Sequence, residues 1–209
     1  MTLNTNAWNR ARYTLWAPLY DIAGRRFDGR RRASLDLLDL KPRERLLIVG
    51  AGTGADLPHV PPGVRVVATD LTPAMLRRAK PHQRPGAHLA LMDGHRLGIK
   101  DGIIDAVALH LILAVMPDPA RCVHEVARVL RPGGRVAVFD KFAKTTSPSF
   151  GLRALNLVTA PLFTEVTRCF EEILVRSGAP LTVEHDVAAW PGGLFRHVVL
   201  RKGSDRREV

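Results

Sequence analysis

The chain has 209 residues, of which 46% are hydrophobic and 24% charged, a balance typical of a globular protein and unlike that of a disordered one. Its length fits one domain with an ordinary core, and no stretch approaches the roughly 20 apolar residues that span a bilayer. The formal net charge of +11 predicts attraction to nucleic acid, anionic lipid surfaces or acidic substrates, although a solvated basic face explains the charge equally well.

The N-terminus and the cysteines indicate the compartment. The first residues lack the short basic region and apolar core of a secretory signal. Cys122 and Cys169 lack the spacing of a metal site or a disulfide framework, and both fall on apolar faces of predicted helices, where an inert buried thiol is usual. We therefore expect a cytoplasmic protein, either free or peripheral on the inner face of the membrane.

The first 40 residues are predicted to form a helical cap within the same domain. Pro18 interrupts their apolar stripe, so one helix is expected to end near Trp16, a second to begin around Pro18, and a third to lie near 30–38. Between Trp8 and Arg45, ten Lys and Arg residues outnumber five Asp and Glu residues. A basic amphipathic segment of this kind is expected to bind anionic lipid surfaces. The stripe comprises Trp8, Ala11, Leu15, Leu19 and Ile22.

A glycine-rich turn follows the first strand-like run. The run 46–49, Leu-Leu-Ile-Val, stops at the turn 50–55, Gly-Ala-Gly-Thr-Gly-Ala. Glycine suits this position because the backbone must bend tightly and a ligand must approach it without meeting a Cβ. A helix is expected next, with its free N–H groups pointing at a nucleotide or nucleoside over the turn.

The next acidic residue indicates a ligand that contains a ribose. A second apolar run, 64–69, ends in Asp70, which lies 20 residues beyond Gly50 and at this spacing can accept hydrogen bonds from two ribose hydroxyls. Dehydrogenases that use NAD and enzymes that use S-adenosylmethionine (SAM) both bind an adenosine ribose. The pattern Gly50-x-Gly52-x-x-Ala55 also satisfies the dinucleotide fingerprint, so the turn alone leaves both cofactors open.

Three later features favour SAM. Leu-Met-Asp-Gly at 91–94 places a carboxylate, Asp93, where an adenine amino group can donate to it. The apolar run 101–109 leads into His110, and 125–138, which contains Leu-Arg-Pro-Gly-Gly, is typical of a helix, a tight turn and a strand. The ordered series resembles the class I SAM-dependent methyltransferases, strongly over about residues 44–142 and more loosely elsewhere.

The resemblance implies an α/β fold with a Rossmann-like, seven-stranded, mainly parallel sheet, an antiparallel edge pair, helices on both faces and an N-terminal helical lid. The expected divisions are the cap 1–40, the SAM-binding domain 41–203 and a charged tail 204–209. Strands are predicted near 46–49, 64–69, 87–91, 103–109, 134–140, 181–187 and 195–200. Between the last of the parallel strands and the edge pair, a loop with a short helix is expected over 143–161, then a helix over 165–177 that stops at Gly178.

The resemblance also implies which residues contact SAM and its product, S-adenosyl-L-homocysteine (SAH). Ile48 departs from the family, which usually carries Asp or Glu at this position to organise the methionine end of the cofactor. Asp56 either supplies a compensating charge or is an acid favoured by a helix dipole. The implied cofactor residues are Gly50, Ala51, Gly52, Thr53, Gly54, Asp70, Leu71, Met75, Met92, Asp93, Gly94 and His110.

The segment Tyr20-Asp21 resembles the opening of quinone-biosynthesis and phospholipid N-methyltransferases, whose N-terminal helices fold over SAM. The resemblance implies that Tyr13 and Tyr20 bind the acceptor or approach the methionine end, with packing on the core as the alternative. A tyrosine offers a hydroxyl and a π-face for a cation.

The candidate catalytic residues are Tyr20, His110 and Asp140. His110 titrates near neutral pH and is a candidate to accept the acceptor's proton, or makes a purely structural hydrogen bond. Asp140 and Lys141, at the end of the fifth strand, are expected to face the cleft and to bind a cationic amine and a phosphate, or else to form an ordinary ion pair. No metal site is indicated, because the histidines are scattered without ligand-like clustering.

Methyl transfer to a small or lipid-like acceptor is the predicted function, with phosphatidylethanolamine at the membrane surface as the favoured acceptor. One alternative is a methyltransferase of a soluble small molecule such as a quinone precursor, phenol, thiol or natural-product amine. A second is a basic nucleic-acid-binding or RNA-modifying protein, disfavoured because the apolar segment 110–113 suits a greasy acceptor better than a flipped base. A dehydrogenase comes third.

Overall fold

The computed structural model describes residues 4–143 and 167–204, with the side chains of 16–23 and 25 left aside. Within this part of the chain, five α-helices flank one seven-stranded sheet. The helices are α1 (Asn6–Gly24), α2 (Asp28–Asp36), α3 (Pro73–Ala79), α4 (Pro119–Val129) and α5 (Phe170–Ser177). The strands are β1 (Arg45–Val49), β2 (Arg65–Asp70), β3 (Ala87–Leu91), β4 (Ile104–His110), β5 (Leu130–Lys141), β6 (Leu181–Ala188) and β7 (Phe195–Lys202).

The sheet has the strand order β3-β2-β1-β4-β5-β7-β6. Strands β1 to β5 pair in parallel, whereas β7 pairs antiparallel with both β5 and β6. The predicted mainly parallel sheet with an antiparallel edge pair is therefore confirmed. The chain leaves β1 for β2 on one side and returns to β4 on the other, so the segment after β1 lies at the topological switch point, where open α/β sheets bind ligands.

The central strands are apolar because both of their faces are covered. Successive residues of a strand point to opposite faces. In β1, Leu47 and Val49 join a core cluster with residues of β4, β5, β7, α4 and α5. Leu46 and Ile48 join a second cluster on the other face, with α2 and β2. Both clusters exclude water from the faces of the sheet. This packing holds the carboxyl ends of the strands in a fixed position.

The N-terminal cap differs from the prediction in one respect. The predicted helix break at Pro18 is wrong, since α1 runs without interruption from Asn6 to Gly24. A proline inside a helix removes one N–H donor and one backbone hydrogen bond, and α1 continues despite that loss. A 3₁₀ turn, Arg25–Phe27, then leads into α2.

The segment after the glycine turn also differs from the prediction. The expected α-helix is absent from this described segment, where turns lead into a single 3₁₀ turn, Leu57–His59. Pro58 fits the start of such a turn, and Pro61 and Pro62 then prevent its extension because proline lacks an N–H and disfavours helical geometry in the residue before it. Polar N–H groups at this site therefore come from the glycine turn itself.

The Pro-Gly-Gly segment forms an excursion inside β5 rather than a turn that precedes it. Leu130 pairs with Ile104 and Arg135 with Ala106, so residues 131–134 bulge out between the two pairs. A Cβ on Gly134 would approach Leu130 Cδ2 to 2.7 Å, which explains the need for glycine. Helix α4 ends directly before this bulge.

The C-terminal part agrees with the prediction except at one helix start. Helix α5 begins at Phe170 rather than at 165, because residues 167–169 are not helical. It stops at Gly178, in the left-handed conformation (φ +58°), as predicted. The predicted loop over 143–161 lies outside the described residues apart from residue 143, and so does the tail beyond 204. Along the described chain, no helix is both long and apolar enough to span a bilayer.

Candidate active site

A cavity opens at the carboxyl ends of β1, β2 and β4, where open α/β sheets bind their ligands. Its wall combines the glycine turn after β1, the ends of β2 and β3, the segment after β4, and the first turns of α1. Eleven of the twelve predicted cofactor residues line it. They are Gly50, Ala51, Gly52, Thr53, Asp70, Leu71, Met75, Met92, Asp93, Gly94 and His110.

Gly54, the twelfth, is not among the lining residues and instead provides space for packing. A Cβ there would come within 3.1 Å of the Ala79 Cβ and 3.2 Å of Leu57 Cδ1. Gly50 is needed for a related reason, since it has a positive φ of +72° and a Cβ would lie 2.6 Å from Ile112 Cδ1. The glycine turn therefore fits tightly against both α3 and the segment after β4.

Asp70 at the end of β2 is fixed by backbone donors. The Gly52 N–H donates to its Oδ2 and the Thr72 N–H to its Oδ1, both at 2.8 Å. Burial raises the pKa of Asp70 above its usual value, and those two N–H groups oppose the rise. Each carboxylate oxygen has a second lone pair, so Asp70 can still accept two hydroxyls from a ligand in the cavity.

Asp93, after β3, has neighbours that the sequence analysis missed. Its Oδ1 accepts the His95 backbone N–H at 2.9 Å and lies 2.6 Å from His95 Nδ1. Its Oδ2 accepts the Asn6 side-chain amide at 2.7 Å, which links α1 to the end of β3. His95 in turn accepts the Asp118 N–H through Nε2, so a chain of hydrogen bonds orients the carboxylate.

Helix α1 is fastened to the segment after β4 and lies over the cavity. The Asn9 amide donates to the Val115 carbonyl at 3.1 Å, and Arg12 donates to Asn9 Oδ1 at 2.7 Å. Asn9 and Arg12 are both buried. Tyr13 lines the cavity as predicted, with the Arg12 guanidinium 4.8 Å from its ring centroid. The side chain of Tyr20 lies outside the described residues.

His110, the last residue of β4, has both ring nitrogens engaged. Nδ1 lies 2.7 Å from Asp56 Oδ1, and Nε2 lies 3.0 Å from Ser34 Oγ. The other Asp56 oxygen accepts Arg31 Nη1 at 2.9 Å. Burial would raise the pKa of Asp56, but the charges of Arg31 and His110 outweigh it and hold that pKa well below its usual value. This geometry matches the structural alternative for His110.

The structure corrects the predicted placement of Asp140 and Lys141. Asp140 has no exposed surface and is not among the cavity-lining residues. Its carboxylate accepts the Ala114 N–H at 3.0 Å and the Lys141 N–H at 2.8 Å, so it fastens the loop after β4 to the end of β5. Lys141 Nζ lies 3.8 Å from Asp140 and 5.5 Å from the Phe195 ring centroid, away from the cavity wall.

The two cysteines are predicted from the sequence to be inert buried thiols. Cys122 and Cys169 are both buried, and burial raises the pKa of the Cys122 thiol to about 12, as expected of inert thiols. Cys169 precedes α5 rather than lying within it. Over the described ranges, no group of three or more His, Cys, Asp or Glu side chains could hold a metal ion.

Four polar residues of α1 and α2 that form or support the cavity wall are not indicated by the sequence analysis. Asn6, Asn9 and Arg31 line the cavity, and Ser34 supports it from α2. The polar Asn residues beside the apolar stripe of α1 are the one sequence signal that could have indicated a buried polar face. Arg31 sits in the run Arg30-Arg31-Arg32, where nothing local distinguishes the buried arginine.

Comparisons with known proteins identify the family. A family model described as a methyltransferase domain matches residues 47–138. The phosphatidylethanolamine N-methyltransferase of Cereibacter sphaeroides is 34% identical over 190 residues, which are 88% of this chain and 92% of that protein. The chain belongs to the SAM-dependent methyltransferases.

Other proteins that this methyltransferase resembles have names that refer to other acceptors. The demethylmenaquinone methyltransferase of Beutenbergia cavernae is 36% identical over 132 residues, 62% of this chain and 54% of that protein. The phosphoethanolamine N-methyltransferase 2 of Haemonchus contortus, solved with S-adenosyl-L-methionine, shares the fold with a TM-score of 0.68 at 15% identity. That match covers 84% of this chain and 53% of the other.

The cavity of the methyltransferase fits its cofactor, SAM. The two carboxylates Asp70 and Asp93 suit ribose hydroxyls and an adenine amino group, and Met75 and Met92 supply an apolar wall for a base. A Cβ on Gly52 would meet no atom within 4 Å, so the glycine turn leaves open space on the cavity side at this residue. The residues on the cavity wall are sufficient for these contacts with SAM.

Proposed function

We propose that this methyltransferase transfers methyl groups to the amino nitrogen of phosphatidylethanolamine at a membrane surface. The observation that carries the proposal is the match to a protein of that name over 88% of the chain, beyond the cofactor-binding segment that methyltransferases share. That match is about twice as long as the segment 47–138, so it extends into parts of the chain that lie outside the shared methyltransferase domain.

The exposed face of α1 supports a membrane location. Trp8, Ala11 and Leu15 lie at spacings of three and four and are all exposed, with Leu15 retaining 78% of its accessible surface. Arg10 is exposed on the same helix. A helix with apolar side chains on its outer face and arginines nearby binds in the interface of anionic bilayers.

A second basic and aromatic group lies at the start of α2. The guanidinium groups of Arg26 and Arg30 lie 5.5 and 4.7 Å from the Trp190 ring centroid, and Arg30 Nε donates to the Ala189 carbonyl at 2.7 Å. Trp190 and Phe27 pack edge to face, at 6.4 Å between centroids. Tryptophan beside arginine is suited to the headgroup region, where an amphipathic ring and a cation both find partners.

The proposed roles on the cofactor side follow the cavity wall. Asp70 accepts the ribose hydroxyls, Asp93 accepts the adenine amino group, and the glycine turn allows close approach of the ligand. SAM supplies an electrophilic methyl group on a sulfonium, so the protein mainly has to align the acceptor with it and exclude water. Tyr13 at the cavity wall, and Tyr20 as a prediction, present hydroxyls and π-faces to a cationic headgroup.

A soluble or quinone-like acceptor is the second candidate. It is supported by the demethylmenaquinone methyltransferase relative and by the apolar wall after β4. That wall consists of Leu111, Ile112, Val115 and Met116. An apolar ring system fits such a wall as well as an acyl chain does.

Methyl transfer from labelled SAM separates the two acceptors. Vesicles of phosphatidylethanolamine with phosphatidylglycerol are offered in one reaction and demethylmenaquinone in detergent in another. We expect label in N-methylated phosphatidylethanolamine. Label in the quinone alone would replace the proposed acceptor by the second candidate.

Vesicle sedimentation tests the membrane face with a matched pair of variants. Leu15→Glu places a charge on α1, and Val175→Glu places one on α5, where the side chain is 80% exposed. Because burying one leucine in a bilayer contributes roughly 1.5–3 kcal/mol, Leu15→Glu should weaken binding to anionic vesicles about tenfold or more. Val175→Glu should leave binding unchanged, and equal binding of both variants would exclude α1 as the contact.

A further inference from the structure

The cavity of this methyltransferase has an uneven distribution of charge. Its carboxylates, Asp70 and Asp93, follow β2 and β3 on one side of the glycine turn. On the opposite side, next to the end of β4, the wall includes the guanidinium-bearing residue Arg31. Among the described residues that line the cavity, Arg31 is the one lysine or arginine.

A buried network holds Arg31 in place. Helix α2 supplies both ends of it, Arg31 and Ser34, which lie one helical turn apart. Arg31 Nη1 donates to Asp56 at 2.9 Å, Asp56 contacts His110 at 2.7 Å, and His110 contacts Ser34 at 3.0 Å. All four residues retain 6% of their accessible surface or less.

This network is difficult to explain as a source of stability alone. Taking charges out of water carries a desolvation cost that a buried ion pair often fails to offset, and apolar side chains of similar volume would commonly stabilise the fold as well or better. A buried arginine that is rigidly held and still borders the cavity is instead suited to bind an anion, because its planar group can bond a carboxylate through two N–H donors.

The network also shows that Asp56 does not replace the acidic residue that the family usually carries at the position of Ile48. Ile48 is an apolar core residue. The carboxylate of Asp56 faces Arg31 and His110, and Asp56 is not among the cavity-lining residues, so it does not present a compensating negative charge to the ligand. At this end the charge presented to the cavity is that of a cation.

We propose that Arg31 binds the methionine carboxylate of SAM. The carboxylate is the one anionic group of that cofactor, and the adenosine placement proposed above directs the amino-acid end toward β4 and Arg31. The inference rests on that placement and is independent of which acceptor is methylated. It makes α2 a part of the cofactor site as well as of the cap.

Two ligands that differ by the carboxylate alone test the assignment. Binding of SAM and of decarboxylated SAM is measured by calorimetry with no acceptor present, so the result does not depend on the acceptor. The wild-type protein is expected to prefer SAM. Arg31→Gln should reduce that preference roughly 10- to 100-fold, the range of a hydrogen bond to a charged group.

Arg32→Gln is the matched control. Arg32 adjoins Arg31 on α2, its side chain is 72% exposed, and it lies 3.9 Å from Asp36. The same change of charge there should leave the preference within about twofold of the wild type, since exposed charges are screened. An equal preference in Arg31→Gln and Arg32→Gln would overturn the proposal.

Arg31→Lys covers the case in which Arg31→Gln does not fold. Lysine keeps the positive charge beside Asp56 but cannot form a two-pronged bond to a carboxylate. It should reduce the preference for SAM by several-fold while decarboxylated SAM binds as before. An unchanged ratio, or equal weakening of both ligands, would show that Arg31 has only a structural role.

Discussion

On the β2–β3 side of the glycine turn, the cavity wall consists of backbone N–H groups and of carboxylates that end their strands. Asp70 is bonded by Gly52 and Thr72, which lie within 18 residues of it. On the β4 side, the wall depends on side chains brought together from distant parts of the chain, as in the contact between His110 and Ser34 across 76 residues. Asp70 is therefore fixed by backbone donors, whereas the β4 side, like the Asn6–Asp93 contact across 87 residues, forms only when the whole domain has folded.

The pKa of a buried carboxylate shifts in opposite directions on the two sides. Burial raises the pKa of Asp70, whose protein donors are neutral N–H groups. The pKa of Asp56 is lowered despite its burial, because Arg31 and His110 face it. The charge of Asp56 is thus compensated by side chains of the protein, whereas the hydrogen-bond donors to Asp70 carry no positive charge. This difference separates a carboxylate that holds Arg31 and His110 in place from one whose oxygens can still accept hydroxyls of a ligand.

Removal of the Asp56 carboxylate should give the largest effect on stability. Asp56→Ala leaves Arg31 buried without its counter-charge, and the loss of one partner of a buried pair costs about 3–5 kcal/mol. Urea unfolding measures this as a lower midpoint. Asp36→Ala, which removes an exposed partner 3.9 Å from Arg32, should change the midpoint very little. Similar losses in both variants would contradict the distinction.

The pH dependence of unfolding sharpens the same comparison. Because Asp56 has a lowered pKa in the folded state, the unfolded state binds more protons between that pKa and the ordinary value of 3.8. The contribution of Asp56 to the free energy of unfolding is fully present above about pH 5. It is lost as the pH falls from the unfolded pKa toward the lower pKa of the folded state. The acid limb of stability should therefore be shallower in Asp56→Ala than in the wild-type protein, as measured by urea midpoints from pH 7 to pH 3.

Asp70→Asn should chiefly affect binding. Loss of hydrogen bonds from ribose hydroxyls to a charged oxygen is expected to weaken the binding of SAH by about 1.5–3 kcal/mol, a difference that calorimetry resolves. Stability should change by about 1 kcal/mol or less, since the carboxylate that is lost was costly to bury. An unchanged affinity for SAH would mean that the adenosine lies elsewhere.

Asn6→Ala should give the smallest effect. It removes the hydrogen bond from α1 to Asp93, which contributes about 0.5–1.5 kcal/mol, or somewhat more because the acceptor is charged. Hydrogen exchange of the α1 amides should become faster in this variant while that of β1 stays slow. Equal protection of α1 in both proteins would show that the contact does not hold the helix over the cavity.

The sequence was sufficient for the parts of the molecule that short-range patterns encode. Apolar runs with glycine or acidic ends predicted the parallel strands, and the glycine turn with Asp70 predicted the side of the cavity where backbone donors dominate. Gly178 marked the end of α5 because a left-handed residue there favours glycine. In each case the determining interaction lies within one motif or, as between Gly52 and Asp70, joins two motifs 18 residues apart.

The failures arose where tertiary contacts decide. Pro18 does not interrupt α1, whereas the prolines after Asp56 prevent the α-helix that was predicted after the glycine turn. Asp140 lies near the carboxyl end of β5, as an active-site acid would, yet its carboxylate accepts the Ala114 N–H, a contact that no local pattern encodes. The arginine that borders the cavity could not be chosen from the run 30–32, because its burial depends on Asp56 and β4.

A crystal structure with SAH bound is the most direct test of the difference between the two sides. The account predicts ribose hydroxyls within hydrogen-bond distance of Asp70, the adenine amino group at Asp93, and the homocysteine carboxylate at Arg31. A ligand bound in the reverse direction, or one whose carboxylate faces solvent away from α2, would contradict it.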